Sequence, residues 1–454
     1  MPSRYPIDAL LAEIGDVPWS LEPTDIKRKS RDYYWYSPIL AEQLKDKFAD
    51  VIVSPRDEAD VVRVAGACAR HRIPLTPRAG ATGNYGQCVP LEGGVVLDMA
   101  GLNQIEWQKP GRVRVQAGAK LFDIDAATRP NGFELRMHPS TKRMAQIGGF
   151  VAGGSGGVGS VTYGGMREPG NILAARIVTM EENPRVIELR GDAAQKISRA
   201  YGTTGIITVL EMPTAPALNW VDVIVAFDDF YESIRFAQAI ALADGIVKKL
   251  LAPIQWPLPE NFAALRAYCP DGKSTVLAMI GEMSIESFET LLEPFGGKIT
   301  YKVPSEDVAN KAPLYEHTWN HCTLQMFKVD RAITYLQVLY PHDRVIESAT
   351  EIGAKFDGEV MQHLEFIRIN GLMTASGIPV IRYRSPERLY EIMAAFEACG
   401  IKIANPHVVT LEDGSRYKRV DADQLGFKHE VDPMGLLNPG KMRSFIPQSQ
   451  EALR

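Results

Sequence analysis

At 454 residues the chain is too long for one compact core, and roughly 150 residues per domain suggests two to three domains. Hydrophobic residues at 45% and charged residues at 23% are ordinary globular values and exclude wholesale disorder. With 50 Lys+Arg against 55 Asp+Glu the formal net charge is −5, which leaves no basic footprint for nucleic acid.

The opening stretch, MPSRYPIDALLAEIGDVPW, carries no sustained apolar run because Glu13 and Asp16 interrupt it. No stretch approaches the roughly 20 apolar residues that span a bilayer. A cytoplasmic protein is expected, with attachment to the inner membrane open only through partners. Five scattered cysteines (Cys68, Cys88, Cys269, Cys322, Cys399) form no CxxC pair and suit buried free thiols in a reducing compartment.

Ile52-Val53 reads as a strand, and Ser54-Pro55-Arg56-Asp57 as a helix start, with Ser54 as cap, Pro55 in the first turn and Asp57 at capping-box spacing. Val61, Val62, Ala65 and Cys68 then form an apolar stripe at helical spacing. Strands follow at 73–75, 93–99 and 113–117. The proline-rich run at 212–218 predicts a domain boundary. Beyond it come three strand–helix units: a strand at 221–227 with a helix at 230–243; a strand at 275–280, a helix at 285–294 and a strand at 299–303; then a strand at 378–383, a helix at 386–399 and a strand at 401–404. Such units on one antiparallel sheet predict an α+β substrate domain.

Two glycine-rich segments carry the chemistry. The first, Thr76-Pro77-Arg78-Ala79-Gly80-Ala81-Thr82-Gly83-Asn84, follows the 73–75 strand directly. The second runs from Gln146-Ile147-Gly148-Gly149 through Ala152-Gly153-Gly154-Ser155-Gly156-Gly157-Val158-Gly159-Ser160 to Tyr163-Gly164-Gly165. Small residues in series let backbone N–H groups line a nest for phosphate oxygens. One such segment is as readily a flexible loop; two in one domain suit a pyrophosphate gripped from both sides. Gly154, Gly156 and Gly159 also spell a GxGxxG. A dinucleotide fold needs a helix opening on that pattern, and SVTYGGMREPGN has no helical period, so NAD is rejected there.

PRAGATG near residue 80, HPST and IGGFVAGGSGG near 150, YGTTGIIT at 201–208 and DPMGLLNPGK at 432–441 occur in the order seen in one flavoenzyme group. The chain resembles the vanillyl-alcohol oxidase/PCMH superfamily, and within it the FAD-linked branch that includes D-lactate dehydrogenase, the glycolate oxidase subunit and D-2-hydroxyglutarate dehydrogenase. The likeness covers roughly residues 40–216 and the last 30 or so. It implies an α+β protein: a PCMH-type FAD-binding domain over 1–216, an antiparallel-sheet α/β cap (substrate) domain over 217–404, and a segment at 405–454 returning to the FAD domain. Carried over, Pro77, Arg78, Ala79, Gly80, Ala81, Thr82 and Gly83 would cradle the FAD pyrophosphate. Pro139, Ser140, Thr141, Gly148, Gly149, Ala152 and Gly153 would line the isoalloxazine and ribityl chain, with Ser155, Gly156, Ser160 and Tyr163 beside them. Gly205, Ile206 and Ile207 would approach the adenine, and Asn438 and Lys441 the flavin edge. Thr82 stands where many relatives tether the flavin through histidine, and the second loop has no cysteine, so FAD is expected to be noncovalent.

The substrate side departs from that branch. Its GDGNxH segment falls near Ala375-Ser376-Gly377-Ile378-Pro379-Val380, without histidine, and its EHG segment near Asn405-Pro406-His407, without glutamate. One histidine cannot hold a zinc ion that needs three or four protein ligands, so no metal is expected. His407 is the expected base. Lys328, with Arg382 or Arg384, would anchor an anionic group, two guanidiniums on one strand face being suited to a carboxylate. His317 and His321 stand at i, i+4, and His321 is the next candidate base. Tyr33, Tyr34, Trp35 and Tyr36 are expected to pack, and Cys88 and Cys322 to be buried.

The expected activity is oxidation of a hydroxyl-bearing carbon of a small molecule, a 2-hydroxy acid or related alcohol, by hydride transfer to the flavin. Electrons would leave to oxygen, a quinone or a carrier protein. The alternative is an FAD-binding subunit of an oxidase complex without activity of its own.

Overall fold

The computed structural model describes residues 4–308, 312–413 and 420–447. Short β-branched runs build the first sheet. Val51–Val53, Val95–Asp98 and Leu75–Arg78 are parallel neighbours in that order, with Trp19–Ser20 antiparallel at the far edge. Parallel strands need a crossover, and the helix Glu58–Arg70 supplies it, burying Val61, Val64, Ala65 and Cys68 with Val51, Leu75 and Val95 in one core. The helix cap differs from the sequence expectation. Asp57 accepts the Asp60 N–H at 2.9 Å, whereas Ser54 gives its own N–H to the Pro18 carbonyl at 2.8 Å and stays outside the helix. At the sheet's other edge the C-terminal segment closes on Leu75: its N–H donates to the Leu436 carbonyl at 2.9 Å, and its carbonyl accepts the Asn438 N–H at 2.8 Å.

The second sheet orders Ile105–Lys109, Arg112–Gln116, Ile206–Pro216, Ala174–Val178 and Val186–Arg190, with Phe133–Leu135 pairing the end of the long strand. Residues 212–216 therefore belong to a strand that ends at Pro216. Ala174–Val178 leaves that strand at Glu211 and Phe133–Leu135 joins it at Thr214. Pro213 sits in the gap, where a missing N–H is tolerated. A second correction concerns Ile147–Gly153, read as loop from its glycines, which is helical. Gly148 lies on Ala117 so closely that a Cβ would come within 2.7 Å of the alanine methyl; close packing of this helix outweighs the low helical propensity of glycine. A single turn, Ser160–Tyr163, also follows Gly159, too short to serve as a dinucleotide-fold helix.

The remaining strands form three hydrogen-bonded sets, where the sequence suggested one sheet. Lys248–Ile254, Ser274–Gly281, Trp220–Phe227 and Lys298–Pro304 are wholly antiparallel. Ile333–Tyr335, Val380–Arg382 and Val360–Met361 make a second set. Leu364–Ile369, Leu372–Gly377, Val338–Leu339 and Lys402–Ile403 make a third. The split arises because the strands at 380–382 and 402–403 find partners inside the 333–377 region. Helices Phe230–Leu242, Val345–Lys355 and Pro386–Ala398 contribute Phe236, Ile352 and Phe396 to one large core with Val223, Val276 and Phe366.

A buried polar knot joins the two halves. The Glu134 carboxylate accepts from Trp220 Nε1 at 3.0 Å, from Lys249 Nζ and from Arg129. Among the described residues no helix is long and apolar enough to cross a membrane.

Candidate active site

A cavity of about 650 Å³ opens between the glycine-rich segments and the strand set of Leu364–Ile369, Leu372–Gly377, Val338–Leu339 and Lys402–Ile403. One wall is Pro77–Asn84, leaving the C-terminal end of the Leu75–Arg78 strand. Glycine is required at several lining positions, Gly80 and Gly205 among them. A Cβ on Gly80 would lie 2.6 Å from the Met144 carbonyl, and Gly205 holds φ at +112°. The second wall is Pro139–Thr141, Gln146, Gly148, Gly149 and residues 152–156, and the third is Tyr201, Gly202, Gly205 and Ile207.

The roof is a strand register. Lys402, Leu339, Ser376 and Glu365 are paired in a row across the sheet, so they share one face. Gln337, Ile367, Ile369 and Ile378 extend that face over the cavity. Phe366, Ala375 and Leu364 point the other way into the core. Tyr85 and Gln337 join floor to roof through a hydrogen bond from the phenol to the amide oxygen.

Buried polar atoms without partners mark what the cavity is built to receive. On the floor these are Arg78 Nε, Asn84 Nδ2, Gln146 Oε1 and Asp32 Oδ2; on the cap side they are Trp319 Nε1 and Asn320 Oδ1. Burial pushes the Asp32 carboxyl up to about 6, against the opposing pull of the Lys441 ammonium. Burial likewise lowers the Arg199 guanidinium and pushes the Cys88 thiol up to about 12.

Of the residues singled out from sequence for FAD, Pro77, Arg78, Ala79, Gly80, Ala81, Thr82, Gly83, Pro139, Ser140, Thr141, Gly148, Gly149, Ala152, Gly153, Ser155, Gly156, Gly205 and Ile207 line the cavity. Five others stand behind it. Ser160 is buried, with its hydroxyl accepting the Gly157 N–H at 2.8 Å. Tyr163 lies under the Arg136 guanidinium, and Ile206 is in the core of the first sheet. Asn438 Nδ2 donates to the carbonyls of Gln87 and Tyr201, at 2.9 and 2.6 Å. Lys441 Nζ donates to the Gly86 carbonyl. Asn438 thus braces two lining residues from the rear, and Lys441 holds Gly86, between the lining residues Tyr85 and Gln87.

The residues proposed for catalysis are not brought to the cavity. His407 is buried, with Nδ1 2.7 Å from the Ser37 hydroxyl and Nε2 2.9 Å from the Tyr335 carbonyl. Both nitrogens are occupied, so the expectation of a base at His407 is corrected. Lys328 is exposed and donates to Gln325. Arg382 donates to the Gly358 carbonyl and pairs with Asp330, and Arg384 pairs with Glu359 at the surface. The expected anion anchor thus lies at the surface, with Lys328 in a hydrogen bond and the two arginines in ion pairs. His321 Nδ1 lies 3.2 Å from the Glu316 carbonyl, and burial pushes both His321 and His317 down to about 4. Among the described residues no group of three or more His, Cys, Asp or Glu side chains can hold a metal ion.

Sequence reasoning missed Asp32, Asn84, Tyr85, Gln87, Arg199, Tyr201, Trp319, Asn320 and Gln337 on the lining. Some had a signal: Asn84 ends the first glycine segment and Tyr85 follows it, while Tyr201 opens YGTTG and Arg199 stands two residues before it. Trp319 and Asn320 lie between the two histidines that drew attention instead.

Residues 49–188 match the family model for an FAD binding domain. The chain is 28% identical over 213 residues to the glycolate oxidase subunit GlcD of Bacillus subtilis (strain 168), covering 44% of each chain. It is 32% identical over 168 residues to the D-2-hydroxyglutarate dehydrogenase of Escherichia coli (strain K12), covering 34% of this chain and 16% of that protein. The chain thus spans less than half the length of the curated relatives it matches. An alkyldihydroxyacetonephosphate synthase structure superposes with a TM-score of 0.71 at 16% identity, over 96% of this chain and 86% of that one. The chain therefore carries a PCMH-type FAD-binding fold, and FAD is the cofactor of its N-terminal domain. The unpartnered Arg78, Asn84 and Gln146 atoms on a backbone-lined floor fit such a group.

Proposed function

We propose that the chain is an FAD-dependent oxidoreductase that oxidises a hydroxyl-bearing carbon of a small molecule, a 2-hydroxy acid or related alcohol. The observation that carries this reading is one cavity shared by the FAD-binding domain and the cap roof. Bound FAD would supply the sink for the hydride equivalent leaving that carbon; the hydroxyl proton would pass to solvent at the same time, leaving a carbonyl. Arg78, Asn84 and Gln146 would hold the cofactor through the groups they leave unpaired, and Thr82 would touch it without a covalent link. Leu339, Ile367, Ile369 and Ile378 would keep water off the reacting carbon.

In this reading residues 1–216 bind the cofactor, 217–404 form the substrate cap and 405–454 return to brace the FAD side. Oxygen, a quinone or a carrier protein would collect the electrons, and the subunit naming of one relative leaves room for partner chains. The test is anaerobic. The purified protein is mixed with a panel of 2-hydroxy acids and alcohols while its flavin absorbance is followed. Bleaching by a panel member supports the proposal, and a flavin that no member reduces speaks for a silent FAD-binding subunit.

A further inference from the structure

Two glycines locate the Gln87 side chain. A Cβ on Gly83, at the end of the first glycine wall, would collide with Gln87 Oε1. A Cβ on Gly153, in the second wall, would lie 3.6 Å from Gln87 Nε2. The amide therefore stands between the two walls, directly against Gly83 and a methyl's width from Gly153. It is half-buried on the cavity lining.

The main chain beneath it is held from behind. Asn438 Nδ2 donates to the Gln87 carbonyl at 2.9 Å, and Lys441 Nζ donates to the carbonyl of Gly86. A backbone clamped at two successive carbonyls fixes where the side chain starts, so the fold itself carries the amide into the gap.

The chemistry of that gap suits an anion. A primary amide offers two N–H donors. The second wall ends there on the C-terminus of the helix Ile147–Gly153, where carbonyls are left over, and Gln87 brings N–H groups to it. Arg78 lines the same cavity with its Nε buried and unpartnered. Burial raises the thiol of Cys88, the residue after Gln87, and the Arg78 guanidinium is near enough to oppose that rise. A cation and an uncharged donor thus serve one end of the slot. At neutral pH, FAD carries its negative charge on the pyrophosphate alone.

We infer that the Gln87 amide is a cofactor contact, an N–H donor to the FAD pyrophosphate where it passes between the two glycine walls. The inference rests on the FAD-binding fold and not on the reaction proposed above.

The test titrates FAD into the full chain freed of its flavin and follows FAD fluorescence. Gln87→Ala should weaken FAD about 10-fold, the worth of one hydrogen bond to a charged group. Gln87→Met keeps the length without the donors and should fall with it. Gln87→Glu keeps the shape but sets a carboxylate against the phosphates. It should weaken FAD about 100-fold, through the lost donor and like-charge repulsion together, and added salt should narrow the difference. Gln87→Ala and Gln87→Met should melt like the wild type when flavin-free, which a merely structural role would not allow. The inference is overturned if Gln87→Met or Gln87→Glu binds FAD like the wild type, since Gln87 then only fills space. It is also overturned if FAD affinity and flavin-free stability fall together. Should the freed chain not take FAD back, FAD release from each holoprotein on dilution gives the same ranking, with the wild type slowest and Gln87→Glu fastest; equal rates overturn it. Neither measurement needs turnover, so a flavin that no compound reduces counts against the oxidoreductase reading only.

Discussion

His407 and Ser37 meet across most of the chain, with 2.7 Å between Nδ1 and the hydroxyl oxygen. Ser37 also caps the helix Pro38–Leu44 by accepting the Leu40 N–H at 3.1 Å. The imidazole thus ties an N-terminal helix cap to the strand end at Tyr335.

From this contact follows a structural role for His407. His407→Ala should lower unfolding stability by about 1–3 kcal/mol, the cost of stranding buried hydrogen-bond partners, while flavin reduction proceeds at the wild-type rate. A large loss of reduction rate with unchanged stability would restore it as the base. The pH dependence has a definite sign. Burial pushes the folded imidazole down to about 4, against about 6.5 in an unfolded chain. Between these values the unfolded state binds more protons, so native stability falls as pH falls. The wild-type advantage over His407→Ala should be full above pH 6.5 and shrink toward pH 4, as read by urea melts at several pH values.

The first glycine segment presents Thr82, whose hydroxyl accepts from Thr141 at 3.2 Å, and no nucleophile for a flavin methyl. Acid precipitation should therefore release all flavin as FAD. Yellow colour that stays with the washed pellet would contradict a noncovalent cofactor.

Glu134 and Lys249 are both almost wholly buried, and the carboxylate also holds Trp220. Removing one partner of a buried pair leaves an uncompensated charge, so Glu134→Leu should cost about 3–5 kcal/mol. Adding Lys249→Met should recover much of that loss. Thermal melts of the single and double variants check the expectation, and equal melting points for the two would refute it.

Metal removal is the simplest experiment. With no cluster of three metal-ligating side chains among the described residues, EDTA or phenanthroline should leave flavin reduction unchanged. Activity lost to the chelator and restored by a single added metal would show otherwise.

The glycine segments were legible in the sequence because their constraint is local. Gly80 admits no side chain against Met144, and that necessity shows in composition. The helix Ile147–Gly153 was not legible, since its packing against Ala117 comes from a distant strand. The cap side of the lining was hidden for a similar reason. Trp319 and Asn320 line the cavity, Trp319 with its N–H held by Glu365 from a distant strand, and Gln337 and Ser376 share a face only once strand register is set. His407 was misread because order along the chain placed it on the crossing back to the FAD domain. The crossing that reaches the cavity floor is made later, by Asn438 and Lys441.

That late crossing bears on how the protein is made. The Leu75–Arg78 strand, from which the first glycine wall departs, has its free edge closed by residues 436–438, and Asn438 braces Gln87 and Tyr201 from behind. A nascent chain leaving the ribosome has every glycine of the cofactor slot long before it has this closing segment. The slot stays unbraced until residues 436–438 have been made and have paired with Leu75.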